Sequence, residues 1–320
     1  MKGTLGIDLS KKDFESQVIT ATGQRQEEHF ENNPTGYEQL QAWLLKHGVS
    51  QVHACMEATN IYWEELAEYL VEQGHQVSVV NPAQIKGFAQ SQLKRNKTDK
   101  QDSQVIADFC AQTKPGLWQP PSPTQRQLRA WERHRDSLIK TRTQQLNRLD
   151  SCRDELVQRS LQTLVATLDD QIAHLEAQIK ELVEQSPQLQ AAYLLLVSIK
   201  GVGPTTALKL LAEFYDLAAY TSARAAAADA GLTPAHHESG TSVRKRPRMS
   251  KIGKGTVRAA LYWPAITAMR YNPLVKALAD RLRAKGKAPK VIIGAAMRKL
   301  LHIAYGVLKN QTPFDPAYAH

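Results

Sequence analysis

The chain has 320 residues, of which 42% are hydrophobic and 22% charged, with a formal net charge of +10. This length allows two domains with separate cores, and the excess positive charge favours a polyanionic partner. The sequence argues against a membrane-spanning protein, because no apolar run looks long enough to cross a bilayer. No signal peptide is expected. The three cysteines are widely spaced, which argues against a structural zinc site.

The first 114 residues predict a mixed α/β sheet with helices on its faces. Three strands come first and helices and strands then alternate, with periods of two and of three to four residues respectively. The predicted strands are Leu5–Ile7, Phe14–Thr20, Arg25–Phe30 at an edge, Val52–Met56 and Gln76–Val80. The predicted helices are Tyr37–Leu44, Trp63–Leu70 and Asp99–Gln112.

Four carboxylates in this region suggest a metal site. Asp8 and Glu57 each end an apolar run, and Asp99 and Asp102 lie three residues apart where a helix should begin. Oxygen ligands of this kind suit Mg²⁺, or Mn²⁺ in its place. The alternative is an ordinary capped surface helix. The basic residues around the acidic pair are expected to contact nucleic acid: Lys94, Arg95 and Lys97.

A linker and long helices should follow. Residues 115–123 contain four prolines, whereas residues 124–186 contain neither proline nor glycine. The apolar positions of the second half step by four, three, four and three residues, as in a coiled coil, and the pattern looks broken near Ser160. These positions are Leu168, Ile172, Leu175, Ile179 and Leu182. A helical hairpin within one subunit and a coiled coil between subunits are equally compatible with this pattern.

Gly201 and Gly203 lie between the end of one predicted helix and the start of another. Glycine at both positions would let a phosphate approach the backbone, as in a helix-hairpin-helix motif that binds nucleic acid. An ordinary helix-helix turn with a glycine cap is the alternative.

A strongly basic stretch follows, with no acidic residue from Ser239 to Ala279. We predict a positive loop between helices that contacts a phosphate backbone. Its candidate contacts are Arg244, Lys245, Arg246, Arg248, Lys251 and Lys254. Further helices are predicted at 256–269, after Asn272-Pro273 and at 290–309, with Tyr262 and Trp263 as packing residues.

Ser239, followed by Gly240, is a candidate nucleophile at the start of this stretch. A serine hydroxyl needs an activating base or metal, and His236, His237 and Glu238 are the nearby candidates for a base. Most Ser-Gly pairs are only turns, so the motif by itself is weak.

Taken in order, these motifs resemble the DEDD transposases of bacterial insertion sequences, of the IS110 type. The resemblance covers almost the whole chain and rests on an ordered set of motifs, listed here: Gly6-Ile7-Asp8, Glu57-Ala58-Thr59, Asn96-Lys97-Thr98-Asp99 with Asp102, Gly201 to Gly203, Gly231-Leu232-Thr233-Pro234 and Glu238-Ser239-Gly240. It implies three parts: a RuvC-like, RNase H-type domain at 1–114, a linker and coiled coil at 115–190, and a mainly helical transposase domain with helix-hairpin-helix at 191–320.

The same resemblance assigns roles to particular residues. Asp8, Glu57, Asp99 and Asp102 match the family's acidic tetrad, and Ser239 matches its nucleophilic serine. The implied partners are double-stranded donor and target DNA, a guide (bridge) RNA transcribed from the element, and further copies of the chain in a tetramer built as a dimer of dimers. No membrane partner is implied, and the expected location is the bacterial cytoplasm, in association with the nucleoid. Asn60 and Lys200 depart from the family pattern, which usually has glycine and proline there.

Two other functions are compatible with parts of the pattern. One is a RuvC-like, metal-dependent nuclease specific for DNA structure, in which water attacks and Ser239 is a turn residue. The other is a nucleic-acid-binding protein without catalytic activity.

Overall fold

The computed structural model describes residues 2–58, 61–92, 99–239, 243–250 and 252–317, and describes the backbone alone at 99–100, 236–239 and 243–247. It divides into two compact units, Met1–Pro120 and Pro121–His320. The first is mixed α/β and the second is mainly helical, as the sequence predicts.

The first unit is built on a five-stranded sheet. Its strands are β1 (Lys2–Leu9), β2 (Asp13–Ile19), β3 (Arg25–Glu31), β4 (Gln51–Glu57) and β5 (Gln76–Val80). Their order is β3-β2-β1-β4-β5, so β3 is an edge strand as predicted. The first three strands are antiparallel, whereas β1 pairs in parallel with β4, and β4 with β5. The two central strands β1 and β4 therefore end at the same edge of the sheet.

Helices cover both faces of this sheet. They are α1 (Pro34–Lys46), α2 (Glu64–Glu72), α3 (Pro82–Ser91) and α4 (Asp99–Thr113). One buried cluster joins Leu5 and Ile7 of β1 to α1 and α2, and a second joins Cys55 of β4 to α3 and α4. Helix α3 was not predicted from the sequence, because only Ile85 in it is buried; it begins at an Asn81 cap.

The proline-rich segment after α4 is partly attached to the first unit. The backbone N–H of Trp118 donates to the Val77 carbonyl at 2.7 Å, and Ser78 Oγ donates to the Pro115 carbonyl at 3.0 Å. The segment predicted as a linker therefore lies along β5 for part of its length.

The second unit contains eight α-helices and one two-stranded sheet among its described residues. Its elements are α5 (Pro123–Ser151), α6 (Glu155–Gln185), α7 (Pro187–Val197), α8 (Pro204–Phe214), a 3-10 turn (Leu217–Ala219), α9 (Ala223–Asp229), β6 (Pro234–Ser239), β7 (Val243–Met249), α10 (Gly255–Tyr271), α11 (Pro273–Ala284) and α12 (Pro289–Asn310). One apolar core joins α7 to α12 and includes Leu128 of α5 and Ile179 of α6.

Helices α5 and α6 pack against each other as a hairpin within the chain. Ion pairs join Arg142 to Asp169 at 2.5 Å and Arg135 to Glu176 at 3.5 Å. The break falls at residues 152–154 and not near Ser160, because the Asp154 side chain accepts the Val157 N–H and caps α6. A coiled coil between subunits stays a prediction.

The expectation that no helix is long and apolar enough to span a bilayer needs correction at α12. Its 22 residues pass that test by length and composition. Its apolar face, however, is buried in the core of the second unit, where Ile292, Leu300, Ile303 and Val307 are all at most 5% exposed. α12 is a core helix, which passes the same test because it is apolar for packing.

Candidate active site

The ends of β1 and β4 bring two of the predicted acidic residues to one place. Ile7 is paired with Met56 in the parallel register, and Asp8 and Glu57 are the next residues of the two strands. Side chains alternate along a strand, so Asp8 lies on the face of Gly6, and Glu57 on the face of Cys55. Both carboxylates are half-buried. They therefore lie on adjacent strands, at the carboxyl edge of the sheet where α/β folds usually bind ligands.

Helix α4 packs on this same face, and Gly6 permits its close approach. A Cβ added at Gly6 would come within 2.2 Å of the Ala107 backbone N and 2.3 Å of the Ser103 carbonyl. Farther along the helix, Cys110 Sγ lies 3.5 Å from the His53 carbonyl, which is deeper in β4. α4 thus runs opposite to β1, and its first turn, with Asp102 half-buried, lies towards the carboxyl edge. The helix begins at Asp99, as the sequence predicts.

Two buried thiols join the strand to the helix behind this edge. Cys55 of β4 and Cys110 of α4 are both free, fully buried and in contact. The hydrogen bond with Cys110 and burial both raise the pKa of the Cys55 thiol, so it stays protonated. The pair is part of the packing that positions α4.

The donor chemistry at this edge fits a hard divalent cation. All the predicted ligands are carboxylates, and Asp8, Glu57 and Asp102 belong to elements that meet at one edge. Among the side chains that the structure describes, no group of three or more His, Cys, Asp or Glu could hold a metal. The Asp99 side chain is outside that set.

Glu15 is an acidic neighbour that the sequence analysis missed. It lies directly opposite Asp8 in the antiparallel pair of β1 and β2, and its Oε1 is 3.0 Å from His29 Nδ1. Opposite positions on neighbouring strands share a face. The position of Glu15 beside Asp8 follows from the register of the first hairpin, which no local sequence pattern gives.

Ser239, the candidate nucleophile, ends strand β6 of the second unit. It is paired with Val243 of β7, and β6 and β7 form an antiparallel hairpin. The prediction of a positive loop between helices is wrong in part, because most of the basic residues belong to β7. Both strands contain proline, at Pro234 and Pro247, and neither shows apolar alternation. The sequence pattern therefore did not predict them as strands.

The base of this hairpin is tightly held. The Arg258 guanidinium donates to the carbonyls of Ala230 and Gly253, at 2.9 and 3.2 Å. Gly253 has φ +123°, and a Cβ there would come within 2.0 Å of the Asp229 carbonyl. The Gly231-Leu232-Thr233-Pro234 motif leads from this base into β6, so the motif anchors the strand that ends at Ser239.

The structure places the predicted basic contacts in different settings. Arg244, Lys245 and Arg246 lie in β7, and Arg248 in the same strand is exposed. Lys254 is half-buried and pairs with Asp229 at 2.7 Å, over the Phe214 ring. Four of the predicted contacts lie outside the described residues: Lys94, Arg95, Lys97 and Lys251.

Gly201 to Gly203, which we call the glycine hairpin, join α7 to α8 as predicted. Gly201 has φ +103° and lies against α10, since an added Cβ would come within 2.7 Å of Ala268 Cβ. Gly203 is exposed, precedes α8 and has open space around it. Gly203 can therefore be approached by a phosphate, whereas Gly201 serves packing against α10.

The chain matches two family profiles. Residues 5–158 match DEDD_Tnp_IS110, described as a transposase, and residues 193–280 match one described as Transposase IS116/IS110/IS902 family. The first match includes all four predicted carboxylates, and the second includes the glycine hairpin and Ser239.

Whole-length relatives support the same conclusion. A pilin gene-inverting protein of Moraxella bovis is 37% identical over 98% of both chains. A probable family 20 transposase of Pseudomonas aeruginosa is 23% identical, also over 98% of both chains. The transposase of insertion sequence element IS1111A of Coxiella burnetii is 24% identical, over 71% of this chain and 67% of its own.

Proposed function

Because the chain belongs to the IS110 family of transposases, which cut DNA and transfer strands, we propose that it does so with a serine nucleophile and an acidic metal site. The proposed nucleophile is Ser239, and the proposed metal ligands are Asp8, Glu57, Asp99 and Asp102. The observation that carries the metal site is the meeting of β1, β4 and the start of α4 at one sheet edge.

The acidic residues would act on the scissile phosphate. Mg²⁺, or Mn²⁺ in its place, would supply positive charge to the phosphate oxygens and the leaving oxygen when bound by these carboxylates. Asp8 and Glu57 lie at the ends of central strands and Asp102 lies on a helix docked on Gly6, so their backbones are held at one edge of the sheet, and binding of the metal would draw the side chains together.

Ser239 would perform the covalent step. Its hydroxyl attacks the phosphorus, an Oγ–P bond forms, and the bond from phosphorus to one deoxyribose oxygen breaks. The hydroxyl proton passes to a base, for which His236, His237 and Glu238 are the nearest candidates in the chain. The departing deoxyribose oxygen takes up a proton and becomes a free hydroxyl. A hydroxyl of another DNA strand then attacks the same phosphorus, the Oγ–P bond breaks, and the proton released by the attacking hydroxyl returns to Ser239.

The choice of sequence would come from RNA. We propose that a bridge RNA transcribed from the element pairs with donor and target DNA, so that the protein grips backbones and reads few bases. The net charge of +10 and the exposed Arg248 of β7 support a backbone-binding role. The pilin gene-inverting relative supports exchange of DNA strands as the reaction.

A RuvC-like nuclease that uses water is not favoured. The family match extends through the second unit to residue 280, and a relative of gene-inverting name aligns over the whole chain. A purely nucleic-acid-binding protein is disfavoured on the same grounds.

A denaturing gel of the full chain tests the serine assignment. The protein is mixed with Mg²⁺, labelled donor and target DNA and the RNA from the flanks of its element. We expect a labelled DNA–protein adduct, absent in Ser239→Ala. Ser250→Ala is the matched control, because Ser250 lies at the base of the same hairpin and its N–H bonds to Thr233. Cleavage without an adduct, unchanged in Ser239→Ala, would contradict the proposal.

A further inference from the structure

Helix α10 exposes three aromatic side chains. Trp263 is 72% exposed, Tyr271 66% and Tyr262 39%, although the sequence analysis expected Tyr262 and Trp263 to pack in the core. The core-facing positions are instead Val257, Leu261, Ala265 and Ala268. All five tryptophans lie in the described part of the chain, and Trp263 is the only exposed one.

These aromatic residues share a face with an arginine. Arg270 and Tyr271 follow Trp263 by seven and eight residues, which is about two helical turns. Trp263, Arg270 and Tyr271 therefore lie on one side of the helix. Tyr262 borders this face and meets the Trp263 ring edge-on, with centroids 5.4 Å apart. From Trp263 to Tyr271 the helix rises about 12 Å, which is room for more than one nucleobase. We call this surface the aromatic face.

The positive charge of the sequence around the aromatic face favours a nucleic acid as its partner. The aromatic face lies within a stretch of 41 residues, Ser239 to Ala279, that contains no acidic side chain and includes Arg270. A second copy of the chain docked through the same face would bring like charges together. A nucleic acid strand complements the charge, and aromatic rings bind unpaired bases of any sequence by stacking.

The glycine hairpin contacts the core-facing side of α10, at the end of the helix that carries Tyr271. Asn272, which follows Tyr271, donates from Nδ2 to the Lys200 carbonyl at 3.1 Å, and Gly201 packs on the core-facing Ala268. The aromatic face lies on the other side of the helix, so the stacking surface and the glycine hairpin are separate features.

We propose that Trp263 and Tyr271 form a stacking platform for unpaired nucleobases of single-stranded nucleic acid. This deepens the proposed function and rests on it, because strand exchange and guide RNA both present unpaired bases. Trp263 makes the principal contact, and Arg270 binds the adjoining phosphate.

Binding of short oligonucleotides to the full chain tests the platform. The probes are labelled 15-nucleotide oligo-dT and oligo-U, with a blunt 15-base-pair DNA duplex for comparison. We expect Trp263→Ala to weaken single-strand binding by about 5- to 100-fold, as one lost stacking contact predicts. Trp263→Phe should retain most of the affinity, and duplex affinity should stay within about twofold. If Trp263→Ala weakens the binding of oligo-dT more than that of oligo-U, the partner is single-stranded DNA; if it weakens oligo-U more, the partner is RNA.

Leu45→Ala is the matched control, because Leu45 of α1 is 56% exposed and far in sequence from the basic stretch. Unchanged single-strand binding in Trp263→Ala would overturn the proposal, as would an equal loss for single strand and duplex. A change of oligomeric state in sedimentation, without a change in binding, would assign the face to a second copy and overturn it too. The oligonucleotide binding assay needs no DNA cleavage. If wild type forms no DNA–protein adduct in the gel assay, the proposed function is contradicted, but the binding assay still tests the stacking platform.

Discussion

Asp102 and Asp108 are two aspartates of one helix with different predicted roles. Asp102 lies in the first turn of α4, at the edge shared with Asp8 and Glu57, whereas Asp108 pairs with Arg25 at 2.7 Å. We expect Asp102→Asn to lower the rate of strand cleavage by at least about 10²-fold, since loss of a ligand removes charge stabilisation in the transition state. The measurement is single-turnover cleavage of labelled DNA with the native RNA.

Asp108→Asn is the control for that substitution. It breaks a partly exposed ion pair, which should cost less than about 1 kcal/mol and leave the cleavage rate near that of wild type. Equal rates for Asp102→Asn and wild type would remove Asp102 from the proposed site.

His302 of α12 should make the second unit sensitive to acid. Burial, and then the positive charges of Arg298, Lys299 and Arg224, lower its pKa to about 4. The unfolded chain binds a proton near pH 6.5 and the folded chain does not, so stability falls as the pH drops from about 6.5 to 4. His302→Leu should lose this dependence, measured as melting temperature against pH, whereas His174→Leu on α6 should keep it. A parallel fall in wild type and His302→Leu would contradict the assignment.

At the scale of elements, the docking of α4 on β1 decides whether the acidic residues meet. Gly6→Ala would force a Cβ into the backbone of Ser103 and Ala107. We expect it to destabilise the chain by about 2 kcal/mol or more, in thermal or denaturant unfolding, and to abolish cleavage although Gly6 has no side chain to act in chemistry.

Gly87→Ala is the matched variant, because Gly87 lies within α3 and has no atom within 4 Å of an added Cβ. It should stabilise the chain by about 0.5–1 kcal/mol. Normal stability and cleavage in Gly6→Ala would show that α4 need not pack against β1.

Sequence patterns predicted some elements and missed others for identifiable reasons. The strands that carry Asp8 and Glu57 were predictable, because their apolar runs end abruptly at a carboxylate. Their convergence needed the parallel register, which no local pattern contains. The hairpin of β6 and β7 was missed because its residues are basic and include proline. Trp263 was assigned to the core because residue type alone does not tell which face of a helix is covered.

At the scale of the whole molecule, the charge of +10 predicts strong dependence of DNA binding on salt. Arg248 of β7 is exposed, and Arg248→Gln should reduce the slope of log affinity against log salt by about 0.9 for duplex DNA. Lys254→Met should leave the slope unchanged and lower the melting temperature, because Lys254 pairs with Asp229. A similar change of slope in both variants would contradict this division of roles.

The family resemblance implies a tetramer in which one subunit's acidic site meets another subunit's serine, and mixed oligomers test this prediction. If one subunit's acidic site acts with another subunit's serine, Asp102→Asn and Ser239→Ala proteins, each inactive alone, should regain adduct formation when mixed. Sites complete within one subunit would leave the mixture inactive, and that result would overturn the shared site.

The stereochemical course at phosphorus tests the central claim most directly. A substrate with a phosphorothioate of one configuration at the scissile position is carried through to the rejoined product. Attack by Ser239 followed by attack of a DNA hydroxyl comprises two in-line displacements, so the account predicts overall retention of configuration. Inversion would mean a single displacement, without a covalent serine intermediate, and would contradict the account.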